Sequence, residues 1–170
     1  ANNYNADATV DDGSCEFRGC SFNSLGDLRY AVTQKFCCKD QYDVHNNTDF
    51  AVPPSDCLNP SSFNPTPVSH QNCSEIPIND WDISGMDSLL GVFVQCYDFN
   101  EDIGNWETRN VISMKRLFYS AEEFNQDLNN WNTTNVESTE GTFQYASVFN
   151  GDIGDWITSS VTNMKLMFAY

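Results

Sequence analysis

Basic side chains are scarce in this chain: Lys and Arg total 8 against 24 Asp and Glu, for a formal net charge of −16. The deficit is even, with 4 basic and 11 acidic side chains in residues 1–80 and 4 and 13 in residues 81–170. Such a chain repels phosphate backbones, so nucleic acid and anionic membrane surfaces are poor partners and cationic groups or divalent cations better ones. No apolar run approaches the roughly 20 residues of a membrane helix, so membrane insertion is not expected. No signal peptide is visible, but the chain opens on Ala1 within what reads as a cut module, which would leave one upstream. The two histidines, His45 and His70, stand apart from any Ser or Cys in a recognisable catalytic signature. A glycine-rich phosphate loop and an H-E-x-x-H pair are also lacking, so no catalytic residue is assigned and an enzyme is not expected.

Tryptophan is rare but ordered. The four tryptophans fall at 81, 106, 131 and 156, each 25 residues after the last. Phe99, Phe124 and Phe149 precede a Trp by seven, and Ile78, Ile103, Leu128 and Ile153 by three. Met86, Val111, Val136 and Val161 follow by five; Leu89, Met114, Thr139 and Met164 by eight; Phe93, Phe118, Phe143 and Phe168 by twelve. A fixed period of this length marks a stacked, quasi-one-dimensional architecture. One unit alone cannot bury two Phe, an Ile, a Trp, a Val and a Met, whereas stacked copies turn each position into a buried column. Trp81, Trp106, Trp131 and Trp156 are therefore expected to form one column, with Phe93, Phe118, Phe143 and Phe168 forming another.

The fold class expected is a repeat solenoid over residues 74–170, leucine-rich-repeat-like, with a 25-residue period. Phe149-Asn150-Gly151-Asp152-Ile153-Gly154-Asp155-Trp156 reads as one short strand per unit, adding to a parallel sheet at about 4.8 Å per rung. The stretch 161–168, with apolar spacings of three and four, fits a helical or 3₁₀ turn, with a second strand as the alternative. The last unit ends at Tyr170 and is expected to expose Val161, Met164 and Phe168, so that more repeats or another molecule would cover them.

Polar positions repeat too. The Asn100, Asn125 and Asn150 column is expected to be an internal ladder satisfying backbone groups at a bend. Carboxylates at Asp102, Asp127 and Asp152 repel unless they accept backbone N–H bonds, face water or share a cation. Capping or solvation is preferred to calcium. A Thr108, Thr133 and Thr158 column could order water on a flat outer face, though one column is narrow. Recurring aromatics could serve as a sugar platform, but aromatics in register are more often core.

The segments Asn125-Gln-Asp-Leu-Asn-Asn-Trp131-Asn-Thr-Thr-Asn-Val136 and Asp152-Ile-Gly-Asp-Trp156-Ile-Thr-Ser-Ser-Val161-Thr-Asn-Met164-Lys-Leu-Met-Phe168 resemble the BspA-type leucine-rich-like surface repeat. That family is also known as domain of unknown function 285. The resemblance spans residues 74–170, with Ser74 where the first Phe would fall. It implies a right-handed solenoid on secreted or cell-surface proteins and brings no catalytic residues.

Residues 1–20 resemble a short secreted module of the form A-x-N-Y-N-x-x-A-x-x-D-D-G-S-C-x-x-x-G-C, ending here at Cys15 and Cys20. Asp7, Asp11 and Asp12 leave two readings open, a calcium loop or local Asx-turns; the spacing misses D-x-D-x-D-G, so no cofactor is assigned and calcium stays the alternative. Residues 21–73 form the expected capping region. One helix is predicted over 24–39, with Ser24 and Asp27 as a capping box and Leu28, Val32 and Phe36 on one face. A Pro- and Asn-rich loop follows. Cys15, Cys20, Cys37, Cys38, Cys57 and Cys73 read as a disulfide framework of an oxidising compartment. A zinc site is disfavoured because no C-x-x-C pair exists. Connectivity stays open, with adjacent Cys37 and Cys38 expected to take separate partners. Cys96 shares a column with Ala121 and Ala146 and is expected to be a small buried free thiol.

Asn46, Asn72 and Asn132 head N-glycosylation sequons, Asn72 with Cys73 in its middle position. With the cysteines, they suggest a eukaryotic secretory product. The function expected is a non-enzymatic, extracellular or cell-surface structural glycoprotein segment, part of a surface fibre, flagellar hair (mastigoneme) or cell-wall assembly. A cell-adhesion or carbohydrate-binding solenoid module is the alternative. Partners would be other protein chains, further copies of this one, or glycans.

Overall fold

The computed structural model describes residues 20–22, 24–32, 73 and 76–170. Residues one period apart sit one above another through most of it. Isolated parallel bridges join Ser88 to Ser113, Ser113 to Ser138 and Ser138 to Asn163. Phe93, Phe118, Phe143 and Phe168 form a stack with centroids 5.2–5.5 Å apart. Phe99, Phe124 and Phe149 form a second at 5.7–5.9 Å, and Trp106, Trp131 and Trp156 a third at 6.2–6.4 Å. Within one turn of chain the three columns meet: Phe118 lies 4.0 Å from Phe124 and 6.3 Å from Trp131. Each 25-residue rung thus wraps a central aromatic triangle. Such ring pairs add about 0.5–1.5 kcal/mol each beyond the area they bury.

Each rung divides into three segments. The tryptophan segment covers residues 81–87 and its repeats at 106–112, 131–137 and 156–162. The ladder segment covers 88–96, 113–121, 138–146 and 163–170, and the asparagine segment 97–105, 122–130 and 147–155. Backbone pairing between rungs concentrates in the ladder segment. Leu89, Gly91, Phe93 and Gln95 donate their N–H groups to the Ser113, Lys115, Leu117 and Tyr119 carbonyls at 2.7–3.0 Å. Val92, Val94 and Cys96, in between, donate three residues back along their own rung. Met114, Arg116, Phe118 and Ser120 repeat the pattern toward the third rung, and Thr139, Gly141, Phe143 and Tyr145 toward the fourth. Alternate amides therefore point up and inward, and the buried backbone is satisfied.

This alternation needs a left-handed residue at fixed places. Gly91, Arg116, Gly141 and Leu166 share one such position (φ 53–62°), and Gln95, Ser120 and Tyr145 a second (φ 55–61°). Side-chain-bearing residues there cost on the order of 1 kcal/mol or more each, a strain the inter-rung bonds over-determine.

The segment read as a strand, 149–156, has no strand character; the bridges lie in the ladder segment instead. The reason is chemical. In the asparagine segment, side-chain oxygens take amides of the next rung in place of carbonyls: Asn125 N–H goes to Asn100 Oδ1 at 2.9 Å and Asp152 N–H to Asp127 Oδ1 at 2.7 Å. Backbone ladders are not needed where Asn and Asp substitute for them.

Before the first Trp, the chain lays two pieces against the stack. Ser21 bridges Asp82 in parallel, with Asp82 N–H donated to Cys20 O at 2.7 Å. Phe22 packs on Trp81 at 5.2 Å. Helix α1, Leu25–Val32, begins at Ser24, whose Oγ accepts the Asp27 N–H at 3.1 Å and donates to its carboxylate at 2.7 Å. Leu28 and Val32, one turn apart, are buried in the same core as Trp81 and Leu89. The predicted continuation to residue 39, with Phe36, lies outside the described residues.

Cys20 and Cys73 form a disulfide across 53 residues of sequence. By the chain-entropy estimate such a loop closure contributes about 4 kcal/mol. Cys96 corrects the sequence reading: it is disulfide-bonded, not a free thiol. Its buried place beside Ala121 and Ala146 suggested only that a small side chain was wanted, and a half-cystine meets that demand equally. Cys15, Cys37, Cys38 and Cys57 lie outside the described residues.

Candidate functional surfaces

Because the core is filled by all three segments, each segment shows the outside its own strip, running up the stack. The asparagine strip is the most ordered of polar surfaces. Asn150 N–H bonds Asn125 Oδ1 at 2.6 Å, continuing the Asn100 ladder, and Gln126 Nε2 donates to Asn100 O at 2.8 Å. Asn129 Oδ1 accepts the Asp155 N–H at 2.6 Å while its amide donates to the Asp155 carboxylate at 2.9 Å. The ladder expected inside the fold is on its exposed side. Asp102 and Asp152 accept the N–H groups of Gly104 and Gly154, two residues on, at 2.8 and 2.9 Å. These carboxylates are thus engaged by backbone donors, which offsets their mutual repulsion. Among the described residues no group of three His, Cys, Asp or Glu is placed to hold a metal. The calcium candidates Asp7, Asp11 and Asp12 lie outside them, as do His45 and His70.

In the tryptophan strip the threonine column is turned inward in the middle rungs, against the water-ordering alternative, while Thr158 of the last rung is exposed. Thr108 and Thr133 are buried, and their hydroxyls donate to the Asn132 and Ile157 carbonyls of the next rung at 3.2 and 3.1 Å. A hydroxyl spent inside cannot order water outside. Trp106, Trp131 and Trp156 act in the same way, each indole N–H reaching 28 residues back to Ile78, Ile103 or Leu128 O at 2.8–3.0 Å. Trp81 instead donates to Ile76 O at 3.2 Å. Asn132 is exposed, its Oδ1 accepting the Thr134 N–H at 3.1 Å, so the sequon sits in a tight Asx turn on this strip. Asn46 and Asn72 lie outside the described residues. Arg109 and Glu107 pair with one another at 2.6 Å, which holds the Glu107 carboxyl below its ordinary range.

The ladder strip differs in chemistry. Lys115 meets Glu140 of the next rung at 3.1 Å, and Asn163 of the rung after donates to the same carboxylate at 2.9 Å. The Lys115 hydrogen bond holds the Glu140 pKa below the usual glutamate value. The Arg116 guanidinium lies 5.8 Å from the Tyr119 ring centre, and Tyr119 meets Tyr145 edge-on at 5.3 Å. Tyr145 and Lys165 are exposed. Its sequence signal is slight: Lys115 and Lys165 share a column, but Leu90 and Glu140 interrupt it, and the columns of Arg116 and Tyr119 repeat neither charge nor aromaticity.

Stacked rings in three columns and three unlike outer strips are thus the features that recur every 25 residues. The family follows from residues 64–170, which match the model for the Mycoplasma protein of unknown function, DUF285; the chain belongs to that family. Neither the curated proteins nor the solved structures yielded a significant match.

Proposed function

We propose that this chain is a non-enzymatic extracellular structural glycoprotein segment, a right-handed, leucine-rich-repeat-like solenoid of the BspA type that serves in a surface fibre, flagellar hair or cell-wall assembly. One observation carries this reading: the strongly patterned residues serve rung-to-rung cohesion, as stacked rings, buried carbonyl-seeking hydroxyls and indoles, or Asn and Asp ladders. A stiff rod with a satisfied interior suits load and display. Residues 20–32, laid on the first rung, have the place of a terminal cap. The Cys20–Cys73 bridge fits an oxidising compartment, and Asn132 in its exposed turn is accessible as a glycan acceptor. Electron microscopy of native extracts tests the proposal, ordered filaments containing this chain being the expected result. Unmodified peptide masses at both Asn46 and Asn132 in natively sourced protein would remove the secretory argument.

The alternative, an adhesion or carbohydrate-binding module, is favoured by the Arg116, Tyr119 and Tyr145 cluster, since exposed aromatics beside a cation suit sugar rings. A stable monomer that retains one class of glycan on an array would support it.

A further inference from the structure

Charge is sorted by strip. Residues 76–170 contain four basic side chains, of which Lys115, Arg116 and Lys165 lie in the ladder segment with a single carboxylate, Glu140. The asparagine segments contain eight carboxylates and no Lys or Arg. All eight are exposed, with Glu122 and Glu123 near the middle of the strip. The tryptophan strip carries its one cation, Arg109, already paired with Glu107.

We infer that the ladder strip is a docking surface for the asparagine strip of a second copy of this chain. The inference rests on the structural reading above and names the contact that would join its subunits side by side. Charge complementarity is the first argument. The cationic strip is the exception on a protein of net charge −16, so its best-matched surface of known shape is the protein's own acidic one. Spacing is the second. Lys115 and Lys165 are two rungs apart in one stack, and so are Asp102 and Asp152, so two parallel copies bring both pairs into register together, with Glu140, already held by Lys115 at 3.1 Å, opposite Asp127 of the second copy. Tyr119 and Tyr145 lie beside the cations and supply the apolar anchors that interfaces favour. The Asn132 sequon sits on the third strip, where a glycan leaves both surfaces clear. Because the two strips are different, the contact is heterologous: a pair of copies keeps one strip of each kind free, and association continues instead of closing as a dimer.

Net repulsion between copies is long-ranged and screened at about 0.1 M salt, while the strip-to-strip attraction acts at contact and is lost toward about 1 M, where the Debye length is about 3 Å. Sedimentation of the full chain should therefore show a weight-average mass that rises with concentration at about 0.1 M salt and falls back to monomer near 1 M. The pair Arg116→Glu/Lys165→Glu should lower the association constant at least tenfold, and Glu122→Lys/Glu123→Lys should do the same. Each variant keeps one intact strip that matches the intact strip of the other, so their mixture should regain association. Tryptophan fluorescence shows whether each variant keeps its stacked core. Where a reversal unfolds the chain, Arg116→Gln/Lys165→Gln is read in its place. A wild-type chain monomeric throughout the salt series overturns the inference, as does association that ignores both variants. Filaments in native material that persist with the variant strips would overturn this contact alone. A salt-independent monomer that binds an anionic polysaccharide through Arg116 would overturn both this contact and the structural reading.

Discussion

The same residue has two fates in this molecule. Phe118 in the second rung is fully buried, while Phe168, two rungs on in the same column, is 50% exposed. Met114 is likewise buried and Met164 is 47% exposed. Phe168 still stacks on Phe143 at 5.5 Å, but it has a ring on one side only. At the opposite end Trp81 is buried, because Phe22 and α1 are laid against the rung it starts. Burial here is thus a property of neighbours and not of the rung, the quasi-one-dimensional case in which stability is a sum of interfaces.

Truncating one column at an inner ring and at its last ring separates the two fates most strongly. Phe118→Ala should cost about 3–5 kcal/mol, as large-to-small core changes do, and Phe168→Ala less than about 1 kcal/mol. Urea unfolding of residues 1–170 followed by tryptophan fluorescence reads both; equal costs in this chain would overturn the dependence of burial on neighbouring rungs. Next in size is the Cys20–Cys73 bridge, which ties residues 20–32 to the segment entering the first rung. Cys20→Ser/Cys73→Ser should lower stability by about 2–4 kcal/mol. Deuterium exchange should then rise first around Trp81 and Leu89, leaving residues 114–146 protected.

Two buried threonines refine the picture within the middle rungs. Thr142 Oγ1 lies 2.9 Å from both the Met114 and Thr139 carbonyl oxygens, whereas Thr139 Oγ1 is buried without a partner. Thr142→Val should cost about 1 kcal/mol, and Thr139→Val should be neutral or stabilising, since it restores the apolar character its column has at Leu89 and Met114. Thermal melts of the two variants should move in opposite directions or differ clearly in size.

The smallest effect is electrostatic. Lys115 lowers the folded-state pKa of Glu140, so the pair's contribution is present above the unfolded glutamate value of about 4.3 and is lost as the pH falls through the lower folded value. Glu140→Gln should therefore remove no more than about 1 kcal/mol at pH 7 and nothing at pH about 2. A melting difference that persists at the acid end would point to packing rather than charge.

What could be read from the sequence, and what could not, follows from how each column is built. Phe93, Trp106 and their repeats keep one identity because a stacked ring needs a ring of like shape above and below it. The ladder segment hides its role. Its left-handed position is filled by Gly91 and Gly141 but also by Arg116 and Leu166, so the glycine signal appears in only half the rungs. The Asn and Asp repeats were visible, but whether their oxygens faced in or out depended on which half of the rung held the backbone ladder. Thr108 and Thr133 look like surface residues until the Asn132 and Ile157 carbonyls are seen above them. Cys96 looked like an alanine because its neighbours in the column are alanines. The cationic strip repeats only in alternate rungs, at Lys115 and Lys165, and the fold sets Arg116 beside them.

The indole bonds give the stack a direction in time. Trp106, Trp131 and Trp156 each donate toward the amino-terminal side, to a carbonyl made 28 residues earlier. In a chain made from its amino terminus, each indole's acceptor is therefore synthesised before its donor. A rung arriving without its predecessor would have an indole donor and no station for it. Each tryptophan thus depends on the rung before it, while the ladder amides of that rung depend on carbonyls of the rung after.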